Sequence, residues 1–457
     1  MIKIKTDSRL VKEGDVFVAI KGEHFDGHDY IEEAINRGAS RIVCERGKYS
    51  VPTLVVENSI NYLTKLLTNE YSRYFGDVKF IGITGTNGKT TTAYLVSQIL
   101  TNLGVSNAYV GTIGYYLNSE KVRDLPNTTP DILSLYNLIF ESMDEGAKVI
   151  VMEVSSHALE LNRISGIKFD AAAFTNLTED HLDFHKNMEN YLKCKLKIIN
   201  YMKDNGIMVV NTDDEYSKRF EIGKYKTIGI NSDADYNVFS YKFDEGTKLN
   251  FEYDNRNYFV RNSLLGKFNV YNYMMALAIV NSFGVDIKKI ISVTNELQAP
   301  TGRNEVIKVG KSKAIIDYAH TPDAVFKIIN STRESAKGKI YTIIGCGGDR
   351  DKKKRSIMGE IATRLSDFVI FTDDNPRSEN EEAIMEDILK GVKNDNYIVI
   401  YDREEAIKNG LAMLSNDDTL LVLGKGHEEY QLFGNEKVYF SDRKVIDKYN
   451  DYKVLIK

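Results

Sequence analysis

The chain has 457 residues, 42% of them apolar and 27% charged, enough for about three buried cores and too apolar for a disordered chain. A formal net charge of −5 argues against a nucleic-acid partner, whose footprint would be a basic excess on one face. The N-terminus MIKIKTDSRL lacks a signal-peptide core, no run of 18 apolar residues occurs, and Cys44, Cys194 and Cys346 share no C-x-x-C spacing, so a cytoplasmic location without a membrane span is expected.

Strand-like runs at 16–20 and 41–44 flank a helical pattern over 30–37, and a third run at 53–56 precedes a helical stretch over 59–74. Together they predict a small α/β module over 1–77. After Asp77 the run VKFIGIT has the continuous apolar character of a buried parallel strand, and GTNGKTTT follows it directly. A helix over 89–103 then places Ala93, Val96, Ile99, Leu100 and Leu103 on one face, with Gly104 as its stop. Strand signals at 148–154, 171–177 and 206–212 alternate with helical patterns, as in a parallel sheet covered by helices. Between 225 and 262 the pattern turns to polar and aromatic alternation, predicting an antiparallel patch, and a helix over 270–283 closes a domain spanning 78–303. The Pro and Gly of APTGRNE mark the next boundary. Five strand runs with intervening helices then predict a third α/β domain over 304–457.

Strand, glycine turn and helix at 85–91 form an anion cradle: free N–H groups of the first helical turn and the helix dipole face a phosphate, Lys89 adds charge, and Thr90 offers a hydroxyl to Mg²⁺. The spacing is a shortened variant of G-x-x-x-x-G-K-[ST], because Ile83 stands where the first glycine would be. ATP used this way serves motion, phosphoryl transfer or ligation. Glu153 ends the run VIVMEV, at the carboxyl end of a strand where α/β sheets bind ligands, and a carboxylate there suits Mg²⁺. TEDHLDFH gathers Glu179, Asp180, His181, Asp183 and His185; without a Glu after His181 the zinc-protease pattern fails, leaving a magnesium site or plain capping and packing residues. In YLKCKLKII the lysines at 193, 195 and 197 cannot share one helical face, so one of them points inward unless the run is simply solvated.

The combination of GTNGKTTT, MEVSSHAL, TEDHLDFH with YLKCK, GKFNVYN, DYAHTPDA, GCGGDRDKKKR, DDNPR and LGKGHE, in this order, resembles the Mur ligases of peptidoglycan synthesis over nearly the whole chain. The resemblance implies a cytoplasmic ATP-dependent ligase of cell-wall biogenesis with three α/β domains: a UDP-binding N-terminal domain, a central P-loop ATPase domain and a Rossmann-like C-terminal domain for the amino acid. It implies that Gly85, Thr86, Asn87, Gly88, Lys89, Thr90 and Thr91 hold the ATP phosphates. Asn269 and Asn272 would face adenine, Arg303 a phosphate at the hinge and Asp317 the ribose. Thr90, Glu153, His181 and Lys195 would hold two Mg²⁺ ions, Lys195 as a carbamate, with Lys89, His181 and Lys195 catalytic.

Ser8, Asn127, Thr128, Thr129, Ser155 and Arg163 fall on positions that bind UDP-N-acetylmuramoyl-L-alanyl-D-glutamate, and Glu23, His24 and Phe25 lie in the variable uridine-side segment. Leu161 stands where the family often has Gln. The chain begins close to TDSR, which leads to an expectation of fewer uridine contacts. Arg350, Asp374, Asn375, Pro376, Arg377, Gly424 and Glu428 would read the incoming amino acid. Meso-diaminopimelate carries a distal carboxylate for an arginine and a distal ammonium for Glu428, whereas lysine has no such carboxylate. L-Lysine, another diamino acid such as lanthionine, the sister reaction that adds D-Ala-D-Ala, and a non-catalytic nucleotide-dependent relative are the alternatives. A monomer is expected.

Overall fold

The computed structural model describes residues 3–455 except Glu23, His24 and Glu245. Three parallel-stranded sheets follow one another along the chain, the first formed by Ile4–Lys5, Val16–Val18, Arg41–Cys44 and Thr53–Val55, all in parallel. One face packs on Phe17, Ile31, Ala34 and Ile42, while Ile4, Val18 and Val43 join a core continued by the next domain. Leu63, Leu67 and Phe75 complete that joint: the Phe75 ring lies 5.3 Å from Phe80 and 5.1 Å from Tyr136. The helical stretch expected over 59–74 is regular only as Ser59–Leu66; it widens into a π turn at Leu67–Tyr71 and tightens into a 3-10 turn at Ser72–Phe75.

The central sheet has eleven strands. Its parallel middle runs Lys224–Gly229, Met202–Asn211, Phe169–Phe174, Lys79–Thr84, Val149–Glu153 and Asn107–Gly111. Lys79–Thr84 is buried from its second residue onward, as its unbroken apolar run requires. The antiparallel patch is narrower than expected at one end: Lys224–Gly229 and Tyr236–Phe243 pair in parallel, and antiparallel pairing starts only between Tyr236–Phe243 and Thr247–Tyr253. A crossover rather than a tight turn therefore joins the first two. At the other end a meander of Asn107–Gly111, Gly114–Leu117 and Glu120–Arg123 was not foreseen. The sheet thus ends in two charged edge strands, Arg256–Asn262 and Glu120–Arg123. The helix Lys267–Ser282 is apolar on all sides along most of its length and packs on Lys89–Asn102 inside the domain.

The third sheet runs Glu305–Val309, Ser312–Asp317, Thr419–Leu423, Ile340–Ile344, Phe368–Phe371 and Tyr397–Val399, parallel except for the first strand. A hairpin, Tyr430–Phe433 with Glu436–Tyr439, lies beyond it. Arg403 and Asp442, both with no side-chain exposure, form a two-pronged ion pair at 2.8 and 2.9 Å, and Arg403 also donates to Leu423 O at 3.0 Å. This pair ties the C-terminal helix Asp442–Leu455 to the end of the central strand.

Removing one member strands the other charge in a dry interior, which costs about 3–5 kcal/mol. Arg403→Met is expected to lower the denaturation midpoint of the C-terminal domain sharply, and Arg403→Met with Asp442→Leu to recover most of the loss; equal stability of the two variants in urea melts would contradict the pairing.

Candidate active site

Carboxyl ends of neighbouring parallel strands meet at one edge of the central sheet: Thr84 leads into Gly85, Glu153 closes its own strand, and Phe174 leads into Thr175. The segment Thr175 to Thr178 wraps the phosphate loop. Thr86 N donates to Asn176 O at 2.8 Å, Asn87 N to Asn176 Oδ1 at 2.9 Å and Thr175 Oγ1 to Asn87 O at 2.7 Å. Gly85 has φ +147°, and a Cβ there would stand 1.9 Å from Thr175 Oγ1, so no side chain fits this turn. Lys89 curls back to donate to Gly85 O at 2.9 Å and Thr86 O at 2.8 Å. Asn87, Gly88, Thr90 and Thr91 complete the loop and the first helical turn, where N–H groups lack intrahelical partners.

Lys195 is the inward lysine of its run. It is 1% exposed, and Nζ donates to the same Gly85 O at 2.8 Å and lies 4.5 Å from the centre of the Tyr191 ring. Burial, and then the Lys89 charge, push its amine far below the ordinary lysine value. Burial likewise lowers Lys89, with Glu153 and Asp180 opposing.

Glu153 is fully buried and held by four donors: Tyr109 OH at 2.5 Å and Thr112 N at 2.8 Å on one oxygen, Thr90 Oγ1 at 2.9 Å and Thr112 Oγ1 at 3.1 Å on the other. Tyr109 and Thr112 belong to the unforeseen meander, and their only sequence signal is the polar and aromatic stretch NAYVGTIGYY. His181 sits at φ +53°, with Nε2 3.4 Å from Asp180 Oδ2 and its ring 5.2 Å from His157. Desolvation in the cleft holds it down to about 4, Asp180 opposing and Lys89, His157 and Lys195 assisting, so the imidazole is neutral at pH 7. His185, by contrast, is a packed residue, bonded to Ser156 Oγ at 2.9 Å and stacked on Tyr191. Glu179 faces solvent.

Among the described residues no three His, Cys, Asp or Glu side chains converge as a metal cage. The donors that fit Mg²⁺ are oxygens, those of Glu153 and Thr90, in keeping with an ion that takes few protein ligands beside phosphates and water.

Of the two asparagines expected to face adenine, Asn272 donates to Asn269 Oδ1 at 3.0 Å and Asn269 to Leu265 O at 2.9 Å, both side chains buried. Arg303 stacks on Tyr318 at 4.2 Å, and its Nε is buried without a partner, a donor suited to an anion. Asp317, raised by burial with Arg303 opposing, accepts from Asn304 N at 2.7 Å and Ala319 N at 2.8 Å. The hinge and the C-terminal loops touch backbone to backbone: a Cβ on Gly302 would meet His427 N at 2.1 Å. Asn87 Nδ2 donates across the cleft to Asp323 Oδ2 at 3.1 Å.

Among the residues expected to bind the UDP-linked substrate, Thr129 Oγ1 donates to Glu153 O at 2.9 Å, Arg163 donates to Thr129 O at 2.9 Å, Ser155 caps the following helix, and Thr128 reaches Thr112 at 3.0 Å. Asn127 is exposed beside them, as is Leu161 at 52%. Ser8 lies apart from this group, buried with its hydroxyl bonded to Glu33 at 2.8 Å. Glu23 and His24 lie outside the described residues; Phe25 is 73% exposed.

At the carboxyl edge of the third sheet, Asn375 donates to Glu428 Oε2 at 3.0 Å, Asp374 packs under Gly424, and Arg377, beyond Pro376 and at φ +54°, donates to Gly348 O at 2.6 Å. Arg350 is exposed at the rim beside Asp349, Asp351, Lys352 and Glu379.

Sequence profiles for three Mur ligase domains match the chain: the family catalytic domain at 3–70, the middle domain at 83–280 and the glutamate ligase domain at 302–426. The chain is 39% identical over 453 residues to a UDP-N-acetylmuramoyl-L-alanyl-D-glutamate–2,6-diaminopimelate ligase of Clostridium acetobutylicum, covering 97% of this chain and 93% of the relative. It is 40% identical over 457 residues to the ligase of that name from Bacillus cereus, covering 97% and 92%. A solved structure of a ligase with the same name superposes with a TM-score of 0.70 at 28% identity, covering 99% of this chain and 95% of that one. The MurF ligase of Thermotoga maritima in complex with ADP gives 0.71 at 22% identity over 99% and 97%, which shows the shared fold.

Gly85→Ala is expected to weaken binding of a non-hydrolysable ATP analogue by more than about 100-fold in calorimetry, since the added methyl must displace Thr175. Gly104→Ala, at φ +76° but with nothing within 4 Å of its Cβ, serves as the control and is expected to bind normally.

Proposed function

The chain belongs to the Mur ligase family, and from that premise we propose that it joins meso-diaminopimelate to the D-glutamyl γ-carboxylate of UDP-N-acetylmuramoyl-L-alanyl-D-glutamate, consuming ATP. The observation that carries this reading is the acceptor end: Asn375, Arg377 and Glu428 stand together at the carboxyl edge of the third sheet, in a chain 39–40% identical along nearly its whole length to ligases named for this reaction. The division into 1–77, 78–303 and 304–457, as uridine-nucleotide, ATP and amino-acid domains, is supported by one parallel-stranded sheet in each. We place the reaction in the cytoplasm, where its nucleotide substrates are made; among the described residues no helix is long and apolar enough to cross a membrane.

A free carboxylate is a poor electrophile, so the substrate's γ-carboxylate first attacks the γ-phosphorus of ATP, giving an acyl phosphate and ADP. An uncharged amine of diaminopimelate then attacks the acyl carbon, and phosphate leaves from the tetrahedral adduct while the amine proton is lost. Lys89 and the N–H groups of the first helical turn, residues 88–91, hold the phosphates in line. Glu153 and Thr90 would hold Mg²⁺, with His181 and a carbamate on Lys195 completing the two-ion site. Bound there, Mg²⁺ screens phosphate charge and polarises the transferring group. A carbamate on Lys195 is supported by its buried, proton-poor amine beside Lys89, because carbon dioxide adds only to a free amine and the product, after losing a proton, is an anion next to the Lys89 charge. The neutral imidazole of His181 has a lone pair for a metal or a proton for a phosphate oxygen. Thr128, Thr129, Ser155 and Arg163 line the way from Glu153 toward the muramoyl dipeptide. Arg377 and Arg350 offer guanidinium groups to the distal carboxylate, and Glu428 an oxygen to the distal ammonium.

Phosphate release with ATP, Mg²⁺ and the UDP-muramoyl dipeptide is expected only when meso-diaminopimelate is added, with a tripeptide product by mass. Release driven by L-lysine alone would overturn the acceptor assignment, and none with any acceptor would favour a non-catalytic nucleotide binder. Arg377→Ala is expected to raise the KM for diaminopimelate at least about 30-fold with the KM for ATP within about twofold. Lys195→Ala is expected to lower kcat by about 1,000-fold without shifting the melting temperature; full activity in that variant would remove the lysine from the mechanism.

A further inference from the structure

Lys425 follows Gly424 at the carboxyl end of Thr419–Leu423, and its side chain has no exposure to solvent. Its Nζ lies 3.0 Å from Asn375 Oδ1 and 3.1 Å from Glu428 Oε2. Asn375 Nδ2 donates to that same Glu428 oxygen at 3.0 Å, and Leu432 N donates to Asn375 Oδ1 at 3.0 Å. The orientation of the amide is therefore decided by its neighbours: two donors, Lys425 and Leu432 N–H, face one side, so the oxygen must lie there and the NH₂ must face Glu428. The carboxylate is treated unequally. Its Oε2 takes two donors, whereas Oε1 has only Tyr318 OH at 3.5 Å, too long for a strong bond.

We propose that Lys425 is the positioning residue of the acceptor site: it locks the Asn375 amide and saturates Glu428 Oε2, so that Oε1 alone is presented to the distal ammonium of the diamino acid. This rests on the acceptor assignment above. A lysine suits the task because an ammonium has three donors and no acceptor, and two of them meet Asn375 and Glu428 while the Tyr430 ring lies 5.4 Å away. Without it the Asn375 oxygen keeps only Leu432 N–H and Glu428 Oε2 only Asn375 Nδ2, so both side chains are held more loosely and an incoming ammonium must first reorganise the pair. The cost falls on acceptor binding and not on ATP, whose loop lies in another domain.

The test uses the full-length Lys425→Met variant, which keeps the length of the side chain and removes its donors. The KM for diaminopimelate is expected to rise about 30-fold or more, with kcat at saturating acceptor within about fivefold and the KM values for ATP and the UDP-muramoyl dipeptide within about twofold. Lys425→Ala is expected to regain part of its acceptor affinity when propylammonium is added, a rescue that a merely structural role would not show. An unchanged KM for the acceptor in Lys425→Met, a parallel rise of all three KM values, or an absence of rescue in a folded Lys425→Ala would each overturn the proposal. Should Lys425→Met fail to fold, Lys425→Gln supplies the same comparison with one donor retained. A wild-type enzyme that ignores diaminopimelate would instead refute the acceptor assignment, so the two failures are told apart by the unmutated control.

Discussion

Two lysine side chains, Lys89 and Lys195, end on a single carbonyl oxygen, that of Gly85. Burial and the neighbouring Lys89 charge hold the Lys195 amine far below its ordinary value, so the pocket between the central sheet and its covering helices resists a second positive charge. The surrounding residues answer to that bias. Burial works against ionisation of Asp180, yet His181, His320 and Lys89 outweigh it and hold its carboxyl below the ordinary range. Glu153 is kept apart from the pair by four donors of its own, which aims it where it can share an ion with Thr90.

The proposed acceptor site lies in the C-terminal domain, which meets the central domain at close range. Gly302, at the hinge, and Gly426, in the acceptor loop, approach so closely that neither position has room for a Cβ. Arg303 and His427 both gather on Tyr318, whose ring lies 4.2 Å from the guanidinium and 5.4 Å from the imidazole. Asn87 of the phosphate loop reaches Asp323 at the start of the helix Pro322–Ser335. Gly302 and Gly426 thus meet backbone to backbone, while the phosphate loop reaches the C-terminal domain through the side chains of Asn87 and Asp323.

Much of this was legible in the sequence because its signals are local. A glycine turn between an apolar strand and a helix announces itself within eight residues, and the uneven facing of the lysines at 193, 195 and 197 raised an inward lysine beside the alternative of a solvated run, of which Lys195 is the buried one. What stayed hidden depends on partners far away in the chain. Tyr109 and Thr112 clamp Glu153 from more than forty residues off, on a meander whose alternation is blurred by glycines. The roles of Lys425 and of the hairpin at 430–439 follow only once Asn375 is brought alongside, fifty residues away in sequence. The split of a single expected antiparallel patch into parallel and antiparallel halves likewise turns on a crossover that no residue pattern marks.

An eleven-stranded sheet has two rims, and each exposes unpaired backbone groups able to recruit a strand from another copy of the chain. Here one rim, Glu120–Arg123, is only four residues long and fully exposed, with Glu120, Lys121 and Arg123 among them; the other, Arg256–Asn262, carries Arg256 and Arg261. Any strand laid against either rim would have to desolvate those charges along its length. The enzyme thus gains a broad central sheet without opening a route to fibrous self-association.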